Sequence, residues 1–231
     1  ELVPNEANWL KFTDIVFIDP VGTGFSRAKT QEQAEKYWGL KSDIVSVGQF
    51  IPLYLTRSGR FTSPLFLVGE SYGTTRAAGL SGYLVERGIA FNGIVLVSSI
   101  LNFQTARFNK GNDLPYVLFL PTYTATAWFH KKLPPDVQSR PLKDVLSEVE
   151  RWASTEYTER LAQGDALSAE GRKAVIDKLA RFTGLDREYL DNTDLRIEIQ
   201  RFCKELLRRE KRTVGRLDSG FKGMDLLAAA E

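Results

Sequence analysis

Three short apolar runs mark the first hundred residues. They lie at residues 14–19, 65–68 and 93–97, and each is continuous rather than alternating. Such a run is typical of a strand buried on both faces of a parallel sheet. Stretches with apolar residues at helical spacing separate the runs. The pattern therefore predicts a parallel, doubly wound sheet with right-handed crossovers, in which the strand at 65–68 lies between the other two and helices cover both faces.

The stretch between the first two runs predicts a long helix. Ser42 is predicted as its N-cap, and Asp43 lies where the positive end of the helix dipole favours an acidic side chain. Pro52 falls inside this helix, where its ring would clash with the carbonyl of Gly48. Because a glycine leaves the backbone room to bend, we expect a kink at Pro52 and not a break.

The pattern changes after Asn102, where helical periodicity replaces the apolar runs. Residues 114–133 predict one long aromatic helix. Further amphipathic stretches and a weak strand follow, at residues 142–153, 175–182, 195–206 and 213–217. We therefore divide the chain into a partial α/β core, residues 1–104, and a helical cap or insertion, residues 105–231.

A serine occupies the turn between the second apolar run and the next helical stretch. The sequence there reads Gly69-Glu70-Ser71-Tyr72-Gly73. A serine at a tight strand-to-helix turn is the nucleophile elbow of the α/β-hydrolases, so the predicted core is a partial α/β-hydrolase-type sheet. We expect a Cβ two residues before or two after the serine to strike neighbouring atoms. The N–H groups that begin the next helix would stabilise a developing oxyanion.

Composition and charge fit a globular protein and exclude several other classes. The 231 residues are 43% hydrophobic and 26% charged, which is enough apolar sequence for a substantial core. A net charge of +2 gives no reason to expect a nucleic-acid partner. No apolar run approaches the roughly 18 residues that a membrane span needs. The single cysteine, Cys203, is interpreted as a core residue, and we predict neither a metal nor a cofactor.

Three stretches together resemble the serine carboxypeptidases, and in particular the bacterial branch of that family. The first ends in DIVFIDPVGTGFS, residues 14–26; the second is FLVGESYGTTRAAGL, residues 66–80; the third, residues 101–133, begins LNFQT. Thr74 stands where many members have glycine or alanine. The resemblance implies an α/β-hydrolase that releases single residues from the C-termini of peptides through an acyl-enzyme.

The resemblance also assigns roles to three residues. Ser71 matches the acylating nucleophile, and the backbone N–H of Tyr72 matches one oxyanion donor. The Tyr72 ring would line the pocket for the residue before the scissile bond. Glu70 matches the position that recognises the terminal carboxylate of the substrate; the alternative for Glu70 is a simple salt bridge near the elbow. Two carboxylates approach each other only by sharing a proton, so such a site favours acidic pH.

The catalytic base and its partner acid are not found in the sequence. The order in α/β-hydrolases is serine, then acid, then histidine, and the only histidine, His130, lies in the predicted aromatic helix before any plausible acid. Asp194 and Asp218 are not nominated, because the resemblance places the acid and the histidine further downstream. The glycine-rich oxyanion segment and the carboxylate that would partner Glu70 are expected upstream of Glu1. We therefore expect an internal piece of a longer hydrolase, inactive alone, whose site is completed by the rest of the polypeptide.

Two other functions remain open at this point. The same scaffold could transfer acyl groups or hydrolyse esters, because an acyl-enzyme does not dictate which nucleophile resolves it. The whole protein could also bind peptides without catalysis. The resemblance implies a periplasmic or secreted protein, whereas the sequence itself does not indicate a compartment.

Overall fold

The computed structural model describes residues 2–224. Two compact units divide the chain, Glu1–Leu101 and Asn102–Glu231. Each unit is described by itself below. No helix among residues 2–224 is long and apolar enough to cross a membrane.

The first unit is a short α/β arrangement with one parallel strand pair. After a 3₁₀ turn at Trp9–Lys11, its elements in chain order are α1 (Gln31–Glu35), α2 (Leu40–Ser58), β1 (Phe66–Glu70), α3 (Tyr72–Val85) and β2 (Gly93–Val97). β1 and β2 pair in parallel, with Phe66 opposite Gly93 and Glu70 opposite Val97. The β1-α3-β2 unit confirms the predicted alternation of strand and helix over residues 65–97.

The strand predicted at residues 14–19 does not form. This segment has no strand hydrogen bonds, and the sheet contains only β1 and β2 among residues 2–101. The Phe17 side chain is 88% exposed, and Ile18 alone of the run packs against the core of the unit. An apolar run indicates that its side chains tend to be buried. A strand of a parallel sheet also needs backbone hydrogen-bond partners that are distant in sequence. β1 is therefore an edge strand here and not the predicted central strand.

The prediction that helices cover both faces of the sheet is also wrong for the described residues. α3 packs against both strands, and α2 packs against α3. Their buried side chains form one core: Val47, Ile51, Leu55, Leu80, Leu84 and Ile89. Phe66, Val68 and the four residues Ile94–Val97 remain 42–63% exposed. Because successive strand residues point to opposite faces, β2 has exposed apolar side chains on both faces, whereas in β1 exposed residues alternate with less exposed ones.

Helix α2 runs unbroken through Pro52, which confirms that the proline does not end it. Its N-cap, however, is Gly39 and not Ser42, so the helix begins at Leu40. Gly48 also has a role in helix packing that the sequence did not predict. A Cβ at Gly48 would lie 2.5 Å from the Tyr83 ring, so its absence lets α3 pack closely on α2.

The second unit is almost entirely helical. Its α-helices are α4 (Leu114–Leu118), α5 (Leu120–Phe129), α6 (Pro135–Gln138), α7 (Leu142–Trp152), α8 (Thr158–Gln163), α9 (Ala169–Thr183), α10 (Arg187–Asn192) and α11 (Ile199–Glu205). A π-helical segment, Ala153–Tyr157, joins α7 to α8. Shorter 3₁₀ turns lie at Phe103–Thr105, Gly164–Ala166 and Arg208–Glu210, and a small antiparallel pair is formed by β3 (Thr213–Val214) and β4 (Lys222–Gly223).

Three boundaries in this unit differ from the sequence predictions. The helix predicted at 114–133 is two helices, α4 and α5, which part at Phe119. Pro121 explains the interruption, because it has no N–H to continue the hydrogen bonding of α4. The helix within 195–206 is only α11, since Asp194 and Leu195 take positive φ angles. The strand predicted at 213–217 shortens to the two residues of β3.

The core of the second unit is formed by apolar residues of the predicted amphipathic stretches. Tyr157, Phe182 and Leu179 are fully buried there, and Gly184 ends α9 in the left-handed conformation. Cys203 is 9% exposed and belongs to this core. This position confirms the interpretation of Cys203 as a core residue, and burial raises the pKa of its thiol.

Candidate active site

Ser71 lies between the last residue of β1 and the first residue of α3. Its backbone has φ 54° and ψ −119°, a conformation that a residue with a side chain rarely adopts. The Ser71 N–H donates to the carbonyl of Val97, at a distance of 3.0 Å, and so ties the turn to the end of β2. The Ser71 side chain is exposed at the carboxyl edge of the strand pair. This is the edge at which parallel sheets present ligand-binding residues.

Gly69 allows the turn to close on itself. A Cβ at Gly69 would lie 2.1 Å from the carbonyl oxygen of Gly73, closer than real Cβ atoms approach other heavy atoms. The expectation for Gly69 is therefore confirmed. For Gly73 it is wrong, because a Cβ there would have no atom within 4 Å among the described residues. A side chain at position 69 would therefore strike the backbone of Gly73, whereas a side chain at position 73 would not strike Gly69.

The first turn of α3 fixes the carbonyl of Ser71 and leaves the Tyr72 N–H available. The N–H of Thr74 donates to the Ser71 carbonyl over 3.0 Å, and the Thr74 hydroxyl donates to the same oxygen over 2.7 Å. Thr74 is buried, so this side chain acts as an internal brace of the turn. The Tyr72 N–H has no acceptor among residues 2–224. A free N–H at a helix start is the kind of donor that binds an oxyanion.

Glu70 is the last residue of β1 and is exposed. Its register partner is Val97, so the carboxylate belongs to the same sheet edge as Ser71. Glu70 makes no ion pair within residues 2–224. The carboxylate can therefore face a ligand.

The Tyr72 side chain has a neighbour that the sequence reasoning missed. The guanidinium carbon of Arg76 lies 5.2 Å from the centre of the Tyr72 ring, and the Arg76 Nε donates to Asp43 over 2.7 Å. The spacing of Tyr72 and Arg76, four residues on one helix, was a signal that could have suggested the contact. Nothing local in the sequence indicates that Asp43 from α2 completes it.

The glycine-rich turn after residues 14–19 is organised by Asp19. The Phe25 N–H donates to the Asp19 carboxylate over 2.8 Å. Gly22 and Gly24 have φ angles of 92° and 46°, and a Cβ at Gly24 would strike the Asp19 carboxylate. The motif that carries part of the family resemblance is therefore a turn folded closely around the exposed Asp19 carboxylate, and a side chain at position 24 would strike that carboxylate.

His130 makes its contacts inside the second unit. It caps the end of α5, is 8% exposed, and its Nε2 lies 2.6 Å from the carbonyl oxygen of Ser219. The two aspartates that were not nominated are also occupied: Asp194 binds Arg172 and Arg196, and Asp218 accepts the N–H of Gly220. No group of three or more histidine, cysteine, aspartate or glutamate side chains among residues 2–224 could hold a metal ion.

Comparisons with known proteins agree with the resemblance found in the sequence. Residues 1–106 match the model of a family described as serine carboxypeptidase. The chain is 33% identical to serine carboxypeptidase-like 5 of Arabidopsis thaliana over 73 residues, which are 31% of this chain and 16% of that protein. It is 33% identical to the retinoid-inducible serine carboxypeptidase of Mus musculus over 109 residues, 43% of this chain and 23% of that protein.

These matches cover less than a quarter of the length of either relative. No solved structure matches the chain significantly. The recognition of a serine carboxypeptidase segment is therefore confirmed for residues 1–106, the part that contains β1, α3 and the turn between them.

Proposed function

We propose, from the serine carboxypeptidase segment at residues 1–106, that the protein is a serine carboxypeptidase-like hydrolase acting on peptide C-termini. One observation carries the proposal: Ser71 sits exposed in a positive-φ turn directly between a parallel strand and a helix N-terminus. This geometry is the nucleophile elbow, in which backbone strain is tolerated because it presents the hydroxyl to the substrate.

Each residue of the elbow has a role in this mechanism. The Ser71 Oγ attacks the carbonyl carbon of the last peptide bond and gives its proton to a general base. The carbonyl oxygen becomes an oxyanion, which accepts a hydrogen bond from the free Tyr72 N–H. The leaving amine takes the proton from the base, and the acyl group remains on Ser71 Oγ until water hydrolyses the ester. The Tyr72 ring would contact the residue before the scissile bond.

Glu70 accounts for the requirement for a free C-terminus. Its exposed carboxylate lies one residue before the nucleophile, at the same sheet edge. A protonated Glu70 donates a hydrogen bond to the terminal carboxylate of the substrate, whereas two ionised carboxylates would repel each other. The proposal therefore includes a preference for acidic working pH and for free-acid peptides.

The base and its orienting acid are proposed to come from residues that this chain does not contain. Within the described residues, His130 and the aspartates Asp194 and Asp218 are engaged in the helical unit. The exposed apolar side chains of β1 and β2 support the same proposal, since patches of this kind are normally covered by other parts of a protein. In this proposal the second unit is the cap of the hydrolase.

A fluorophosphonate probe tests whether Ser71 is an activated nucleophile. We expect stoichiometric labelling of Ser71 in the protein that includes the downstream acid and histidine, and none in the 231 residues alone. A serine hydroxyl without a base is a poor nucleophile, which is the reason for the difference. Mass spectrometry of the labelled peptide identifies the site, and Ser71→Ala is the control. If the complete protein carries a histidine but is not labelled, the enzyme reading fails and a peptide-binding protein is supported.

A second experiment tests the role of Glu70. Glu70→Gln in the complete protein should lower kcat/KM for free-acid peptides about ten- to a hundredfold at acidic pH, because a weaker amide-to-carboxylate hydrogen bond replaces the proton shared by two carboxylates. Amidated peptides and esters should be nearly unaffected. The pH dependence for free-acid peptides should flatten, because the amide donates without being protonated.

Glu86→Gln, an exposed glutamate at the end of α3, is the matched control and should leave both substrate classes unchanged. Equal losses on free-acid and amidated peptides would show that Glu70 supports the turn. That result would favour a general acyl hydrolase or acyltransferase.

A further inference from the structure

Three side chains form a continuous contact from the interior of the first unit to the elbow. The Asp43 side chain, on α2, is 9% exposed, and its Oδ2 accepts a hydrogen bond of 2.7 Å from the Arg76 Nε. The Arg76 side chain, on α3, is 22% exposed, and its guanidinium lies 5.2 Å from the centre of the Tyr72 ring. Tyr72 itself is 46% exposed and directly follows Ser71.

The buried aspartate fixes the guanidinium, and the guanidinium supports the ring. A free arginine samples many rotamers, but a charge-assisted hydrogen bond in a buried position holds its planar group in one orientation. The guanidinium then attracts the face of the tyrosine ring, an interaction whose strength increases as water is removed. The close packing of α2 on α3 keeps Asp43 within reach, since a Cβ at Gly79 would strike Ile44, the neighbour of Asp43.

We propose that Asp43 and Arg76 are positioning residues that fix the Tyr72 ring and thereby set substrate selectivity at the residue before the scissile bond. This inference rests on the proposed function, which places that substrate residue against Tyr72. Neither side chain touches the reacting atoms. The pair acts through the ring, so it governs which acyl group is well placed and leaves the nucleophilicity of Ser71 unchanged.

The proposal predicts a selective loss and not a general one. A large apolar residue before the scissile bond would contact the full face of the Tyr72 ring, whereas alanine would contact little of it. Releasing the ring should lower kcat/KM for a phenylalanine substrate by about five- to twentyfold, the size of one cation–π contact in a partly dry site. The alanine substrate should change by less than about twofold, with the difference appearing mainly in KM.

Arg76→Lys is the main variant, because it keeps the positive charge for the buried Asp43 while removing the planar group that spans both partners. Asp43→Asn is the second variant and releases the guanidinium from the other side. Arg87→Lys is the matched control. The Arg87 guanidinium, just after the end of α3, lies 3.6 Å from the centre of the Tyr83 ring, so the substitution removes an equivalent contact away from the elbow.

Two readouts are measured on each variant of the complete protein. The first is the ratio of kcat/KM for peptides with phenylalanine and alanine before the scissile bond, together with the rate of fluorophosphonate labelling. The second does not depend on activity: the ¹⁹F spectrum of protein labelled with fluorotyrosine, in which Tyr72→Phe identifies the Tyr72 resonance. We expect Arg76→Lys and Asp43→Asn to move or broaden that resonance and to reduce the selectivity ratio, with labelling unchanged, whereas Arg87→Lys does neither.

The possible outcomes separate this inference from the proposed function. An unmoved Tyr72 resonance in Arg76→Lys overturns the positioning role, whatever the activity. A moved resonance with an equal loss on both substrates overturns the role in selectivity. If the complete protein has no peptidase activity and Ser71 is not labelled, the proposed function fails, and the ¹⁹F result alone decides whether the pair positions the ring. If Asp43→Asn does not fold, the results for Arg76→Lys alone test the positioning role.

Discussion

At the scale of single residues, the elbow is defined by one strained backbone. Ser71 combines φ 54° with ψ −119°. Its backbone is held by a hydrogen bond to the Val97 carbonyl, by two hydrogen bonds from Thr74, and by the close approach of Gly69 to Gly73. A serine in such a conformation costs about 1–3 kcal/mol, which the surrounding structure must offset. The strained backbone of Ser71 therefore lowers the stability of the first unit.

Ser71→Gly should therefore stabilise the chain relative to Ser71→Ala by about 1–2 kcal/mol, because glycine accepts this backbone without strain. Urea unfolding of both variants measures the difference. Ser46 provides the control, since it lies inside α2, where helical φ makes glycine less favourable than alanine by about 1 kcal/mol. If glycine and alanine rank in the same order at positions 71 and 46, the elbow is not strained.

At the scale of elements, two glycines determine how α2 and α3 meet. A Cβ at Gly48 would lie 2.5 Å from the Tyr83 ring, and one at Gly79 would lie 2.2 Å from the Ile44 side chain. Helix interiors normally disfavour glycine. Here the close approach lets both helices contribute to the core of the first unit, and it brings Asp43 to Arg76.

Gly48→Ala should lower the free energy of unfolding by about 1–3 kcal/mol, since the added methyl group overpacks against Tyr83. Gly82→Ala, on α3, is the control. A Cβ at Gly82 meets no atom within 4 Å among the described residues, so it should stabilise the helix by about 0.5–1 kcal/mol. Thermal unfolding compares the two variants. A gain in stability for Gly48→Ala would show that the two helices adjust without cost.

At the scale of the whole molecule, the two units have separate cores of different chemistry. The core of the first is aliphatic, built from α2 and α3. The core of the second contains buried phenols: Tyr157 donates to the carbonyl of Leu195 over 2.6 Å, and Tyr123 donates to that of Ile197. Burial raises the pKa of both hydroxyls, and likewise that of Tyr189, whose hydroxyl has no partner among the described residues.

The second unit should therefore lose stability at alkaline pH. Unfolded phenols ionise near pH 10, while the folded ones stay protonated, so the unfolded state releases protons first and the free energy of unfolding falls as pH rises above 10. The slope is about 1.4 kcal/mol per pH unit for each buried phenol. Urea unfolding at pH 8, 10 and 11, with tyrosinate absorbance at 295 nm, measures it.

Tyr157→Phe should reduce that slope by one proton and cost about 1 kcal/mol at neutral pH through the lost hydrogen bond to Leu195. Ionisation of all phenols at pH 11 with an unchanged far-UV circular dichroism spectrum would contradict the prediction. A slope that is the same in the variant would exclude Tyr157 as a contributor.

The sequence by itself determined the local features. The apolar run at 65–68 with the following helical periodicity predicted β1 and α3, because such signals depend on neighbours along the chain. The Gly-Glu-Ser-Tyr-Gly motif located the candidate nucleophile for the same reason. Its family resemblance is confirmed over residues 1–106. The roles of Ser71, Tyr72 and Glu70 remain proposals.

Tertiary structure alone decided what depends on distant partners. Residues 14–19 have the apolar content of a strand but no backbone partner among the described residues. Asp43, predicted as a charge near a helix start, is buried against Arg76, 33 residues away in sequence. Periodicity reports which side chains tend to be buried, whereas hydrogen bonds and ion pairs between distant elements require the chain to be folded.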